Sequence, residues 1–180
     1  MSVRGTARAQ WPAVPAPPPA DPSTPPAAGP PPFQAPSDHP ADVWERSVAE
    51  LEGLVVEKGA YGLGSTAWLA RALVSPLRQL GAAELRLLLT HGRGLAWVVP
   101  LALERVLAEP FAAADYGPGA LLTALLTALF TEGPDRWDPA WRERLAHAVH
   151  GARVQLALVP EPVRARLADD LEAAREQFGV

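Results

Sequence analysis

Two segments of this chain, LAWVVPLAL at residues 95–103 and ALLTALLTALF at residues 120–130, are apolar on nearly every side. A helix of that kind has no face to give to water, so it belongs at the centre of a fold with other helices packed around it. Between them sits a polar, glycine-rich turn, Asp115-Tyr116-Gly117-Pro118-Gly119. The longer apolar run is broken by Thr123 and Thr127 and falls short of the roughly 18 residues a membrane span needs. The remaining helices are therefore expected to cover a central pair in water.

Residues 41–180 read as an all-α domain, a compact multi-helix fold. Asp42 and Trp44 mark its start, and Trp44, Trp68, Trp97 and Trp141 fall on helical stripes that place them in the core. Ser47 and Glu50 have the spacing of a capping box, with Leu51 and Leu54 turned inward. Ser65 is placed to cap a helix over residues 66–74, with Trp68, Leu69, Ala72 and Leu73 as its buried stripe. Gly81 and Glu84 open a helix over residues 82–90 whose Leu85, Leu88 and Leu89 face the core while Arg86 reaches water. Pro100 lacks a donor for the carbonyl of Ala96. The helix over residues 95–108 therefore kinks there, or starts late enough to hold Pro100 in its first turn. Val98, Val99, Leu101, Ala102, Val106 and Leu107 are its expected core residues.

In the second apolar segment, Leu121, Leu122, Leu125, Leu126 and Leu129 share a stripe. Thr123 and Thr127 are each placed to bond a carbonyl one turn back. Asp138-Pro139 starts a further helix with Trp141, Leu145, Ala148 and Val149 buried; it runs past Gly151 or breaks there. A last, peripheral helix over residues 163–178 presents Val163, Leu167, Leu171, Ala174 and Phe178. The first 40 residues are different in kind. They hold thirteen of the twenty-one prolines and eight alanines, a composition that cannot bury enough surface to offset its ordering entropy. The expectation is a disordered, solvated tail with no partner of its own; the alternative is that PAPPPADP and GPPPFQAP serve as polyproline ligands.

Composition narrows the chemistry. The absence of cysteine removes disulfides, thiol catalysis and thiolate metal sites. A net charge of −4 gives no field to attract nucleic acid. No apolar run follows the arginines of the first residues, so neither a leader nor a membrane anchor is expected and the default location is the cytoplasm. The loop GAYGLGST at residues 59–66 lacks the lysine of a phosphate-binding loop and reads as a turn. Glu143, His147 and His150 share one helix face at a spacing that can hold a metal, but no further ligand is evident. Nor is there a nucleophile elbow. No catalytic residue, metal or cofactor is expected.

Two blocks then carry a resemblance. The first is Leu85-Arg86-Leu87-Leu88-Leu89, followed after a gap by Gly94-Leu95 and Val98-Val99-Pro100-Leu101-Ala102-Leu103-Glu104. The second is Asp115-Tyr116-Gly117-Pro118-Gly119-Ala120-Leu121-Leu122. In order and spacing they resemble the immunity proteins of contact-dependent growth inhibition (CDI) systems, whose pattern runs LR-x-LI-G-Q, GL-x-x-LVPLALE and GDFYPGDLL. The resemblance covers about residues 43–130. The chain departs from the pattern at His91, Ala114, Gly117 and Ala120, so what persists is mostly core and turn. The resemblance implies an all-helical protein that binds and neutralises a toxin domain by occlusion, without catalysis.

Candidate partner contacts are His91 and Arg93 at one helix end, Asp115 and Tyr116 in the turn, and Trp137 as an exposed aromatic anchor. The alternative for Asp115 is that it only stabilises its own turn. The alternatives for the whole chain are a helical adaptor whose proline-rich tail recruits partners, and an enzyme of unrecognised type.

Overall fold

A computed structural model describes residues 40–56, 64–112, 114–132, 139–161 and 163–179. The expectations for the tail, for most of the loop at residues 59–66, for Trp137 and for Asp138 lie outside those residues.

Among the described residues the protein is all-α. The helices are α1 (Val48–Glu52), α2 (Ser65–Val74), α3 (Ala82–Thr90), α4 (Leu95–Ala108), α5 (Ala120–Glu132), α6 (Pro139–Gln155) and α7 (Val163–Phe178). Among the same residues, pairing of β type is limited to two isolated bridges, Ser47 with Pro76 and Ala114 with Gly117.

The centre is three helices rather than two. α3 packs on α2, α4 and α5; α4 also meets α5 and α6; α7 lies on α5 and α6; α1 lies on α2. Although short, α3 earns its position through Leu85, Leu88 and Leu89, all buried. Leu121, Leu122, Leu125, Leu126 and Leu129 of α5 are buried as expected. Truncating any one of them to alanine costs about 2–5 kcal/mol, since the surrounding close-packed side chains cannot collapse into the space. The α7 stripe is also as expected, with Leu167, Leu171, Ala174 and Phe178 buried and the Phe178 ring stacked on Phe130 at 5.4 Å.

Local signals account for most of the boundaries. Ser47 and Glu50 form the capping box: the Glu50 carboxylate accepts from the Ser47 N–H at 2.7 Å, and the Glu50 N–H donates to the Ser47 hydroxyl at 3.3 Å. These bonds to Ser47 hold the Glu50 carboxyl below the ordinary carboxylate range. Glu84 accepts from the N–H of Gly81 at 3.1 Å and so begins α3. Pro100 lies well inside α4, which begins at Leu95, so the reading with proline in the first turn does not hold. α6 passes Gly151 and ends in a 3-10 turn, Leu156–Leu158.

Several expectations need correction. The residue before α2 is Gly64, with a positive φ, and Ser65 is its first helical residue. Trp68 is not core: Leu69, Ala72 and Leu73 take the inner face of α2 and leave the indole 59% exposed. Trp44 and Trp97 are half-buried against the core, and only Trp141 of these aromatics is fully covered. Leu101 and Leu107 are half-buried, while Leu103 is buried. Thr123 does not bond back to its own helix. It donates to Asp170 of α7 at 3.0 Å, while Thr127 and Thr131 each bond the carbonyl one turn back.

Candidate functional site

Arg86 organises the surface of the central helices. It was expected to reach water from α3, yet its side chain is only 13% exposed. Its guanidinium grips Asp115 with two bonds, Nε to Oδ1 at 2.6 Å and Nη2 to Oδ2 at 2.8 Å. The same guanidinium lies over the Tyr116 ring, 4.3 Å from its centroid. A planar fork facing a carboxylate while its flat side stacks on an aromatic is a use for which arginine is suited and lysine is not. Asp115 therefore does more than stabilise its own turn. It ties the segment between α4 and α5 to α3, across 29 residues of sequence.

The result is a displayed aromatic. Tyr116 is 77% exposed, yet it is braced from behind by Arg86 and carried on a turn closed by the Gly117 N–H donating to the Ala114 carbonyl at 2.9 Å. Gly119 seats that turn on α7. Its φ is +77°, and a Cβ there would stand 2.7 Å from Cδ1 of Leu167.

Tyr116 and Arg86 together separate two grooves. One, of about 510 Å³, runs along α5 past Thr123, Ala124 and Thr127 to Arg166 of α7. The face of α5 expected to be covered is thus open, and it is built of threonine and alanine. The other groove, of about 430 Å³, lies between α2 and α3, with Trp68, Leu87 and Glu84 in its lining alongside Asp115. Trp68 and Tyr116 are two of the few large hydrophobic side chains left exposed, and both line this one groove. Sequence reasoning missed Trp68 because its helical register placed it on the apolar stripe. Its position at the edge of that stripe, beside Gly64, was the available signal.

The other candidate residues fall differently. Asp115 and Tyr116 come together at the ridge. His91 and Arg93 are exposed at the end of α3, and of their turn it is Gly92 that lines the α5 groove. Arg93 approaches Glu52 of α1 at 3.9 Å, while Glu52 accepts the Gly94 N–H at 2.6 Å. Glu143, His147 and His150 are exposed on α6. No group of three or more metal-ligating side chains occurs among the described residues, and no helix among them is long and apolar enough to cross a membrane.

The fold and this surface define an all-α protein whose most carefully held polar groups brace an exposed aromatic. Residues 50–136 match the family model of the CDI immunity proteins. Over that span the chain is similar to the CDI immunity proteins. The matched span takes in α3, α4, α5 and the Arg86–Asp115 bridge, and α7 lies beyond it. No curated protein and no solved structure matches the chain.

Proposed function

We propose that this protein binds a cognate growth-inhibition toxin domain directly, and that it neutralises it by occupying its surface rather than by chemistry. The contact centres on Tyr116 and extends to Asp115, to Trp68 and to the turn of His91 and Arg93. The observation that carries this reading is the bracing of Tyr116. An aromatic held rigid by a bidentate ion pair loses little conformational freedom on binding, so more of its contact energy appears as affinity. Tyrosine, tryptophan and arginine are also the residues that most often dominate protein interfaces. The family match over residues 50–136 supports a toxin as the partner. The cytoplasm of the producing cell is the compartment in which such a partner would have to be met.

The test is to isolate the full chain from its native host through a tag after Val180 and identify stoichiometric partners. The expected result is one protein that arrests growth when expressed alone and is harmless when expressed with this chain. A set of partners that all depend on residues 1–40 would instead establish the adaptor reading.

A further inference from the structure

We infer that the groove between α2 and α3 receives an extended, proline-bearing segment of the partner, flanked by a basic residue. The inference rests on the Tyr116 face being a protein-binding surface, but not on that protein being a toxin. Three features of the groove point to this occupant. Its exposed walls include two aromatic rings from separate elements, Trp68 at 59% and Tyr116 at 77% exposure. Flat aromatic walls are what proline rings pack against in polyproline recognition. Each ring also carries a polar donor, the indole N–H and the phenol O–H. A proline-rich strand offers carbonyl acceptors that no internal hydrogen bond uses.

The second feature is charge. Glu84, Asp115 and Arg86 line the groove, and one edge of the guanidinium, Nε and Nη2, is already engaged by Asp115. Arg86 and Asp115 offset each other and Glu84 leaves the groove with a net negative charge, which fits an arginine or lysine beside the prolines. The third feature is length. On α3 the groove touches Ala83, Glu84, Arg86 and Leu87, about 6 Å of axis at 1.5 Å per residue. A docked helix contacts through anchors at i, i+3/i+4 and i+7, which span roughly 10 Å. A polyproline strand advances about 3.1 Å per residue and crosses 6 Å in about two residues.

The experiment is a titration of the full, isotope-labelled chain with a synthetic proline-alanine peptide bearing an arginine at each end. The readout is the indole N–H resonance of Trp68, identified by its loss in Trp68→Phe. Two peptides with the same arginines serve as controls, one of glycine and serine and one of helix-forming alanine. The proline peptide is expected to move the Trp68 signal saturably. Tyr116→Ala is expected to weaken that response about tenfold or more, with the helical circular dichroism of the variant unchanged. No saturable response, an equal response to the glycine-serine peptide, or a preference for the helical peptide would each overturn the inference. A captured partner that binds at Tyr116 without any proline-bearing segment would overturn it too, while leaving the proposed function standing.

Discussion

The turn after α3 and the turn before α5 look alike in sequence. Both are polar, rich in glycine and set between apolar helices: His91-Gly92-Arg93-Gly94 and Asp115-Tyr116-Gly117-Pro118-Gly119. The structure fixes them in opposite ways. The first is held by its backbone. Glu52 accepts the Gly94 N–H at 2.6 Å, and a Cβ at Gly94 would stand 2.8 Å from both methyl carbons of Val48. Its side chains are left loose, with His91 exposed and Arg93 3.9 Å from Glu52. The second is held by a side chain, Asp115, and its display of Tyr116 follows from that hold. A turn anchored by backbone gives shape to a surface, whereas a turn anchored through a charged side chain can also aim an aromatic.

The comparison breaks most severely at its glycines. Gly94→Ala and Gly119→Ala each add a Cβ in the left-handed region and press it into a buried side chain. Together the strain and the overpacking should cost about 2–4 kcal/mol, read as a lowered urea midpoint with an unchanged slope. Gly94→Ala should be the worse of the two. Val48 is branched at Cβ and stiff about χ1, whereas Leu167 has a second rotor with which to yield.

The two ion pairs sharpen the contrast at smaller cost. Arg86→Ala should cost about 1–2 kcal/mol, because it strips a bidentate partner from Asp115 and the brace from Tyr116. Arg86→Lys should restore little of that, since an ammonium cannot reproduce the fork. Arg93→Ala, at an exposed and long contact, should stay within about 0.5 kcal/mol. Denaturation curves of the three variants side by side check this order.

For binding, the ranking runs along the same line. Tyr116→Ala should weaken the partner complex by about tenfold or more, as expected for an aromatic at the centre of a contact. His91→Ala should weaken it less, because its turn only borders the groove. Both are exposed, and their stability should be unchanged within about 0.5 kcal/mol.

The smallest effect concerns acid. The Glu50 carboxyl is held low by its bonds to Ser47. A carboxyl depressed in the folded state contributes stability that is fully present above its unfolded pKa. That contribution is lost as pH falls through the depressed value. The capping box starts α1, whose Glu52 anchors Gly94, so the backbone-held turn should be the one that loosens in acid. Glu50→Gln should remove that part of the pH dependence, measured as the slope of stability against pH below the carboxylate range.

Much of the fold was legible in the sequence. The leucine stripe of α5, the stripe of α7 and the capping box of α1 follow from spacing alone, because each depends on neighbours within one helix. What could not be read depends on contacts between helices. The register of α3 predicts a solvated Arg86, because nothing in that helix shows that Asp115 will arrive beside it from the other end of α4. Thr123 turned to Asp170 for the same reason. Periodicity places Trp68 in the core because it finds a stripe without fixing its width, whereas smaller Leu69, Ala72 and Leu73 suffice to fill the space beneath α2. The turn at Asp115 and Tyr116 was legible as a candidate site, but the reason it can serve as one, its arginine brace, was not.

The most direct measurement is the affinity of the captured partner for three forms of the full chain: wild type, Tyr116→Ala and Arg86→Ala, by calorimetry. A braced-aromatic interface requires both variants to lose affinity. Arg86→Ala should do so although its guanidinium lies mostly beneath the surface, because an unbraced Tyr116 must be ordered at the moment of binding. Unchanged affinity in both variants, with the fold intact, would place the partner elsewhere on the molecule and contradict the account.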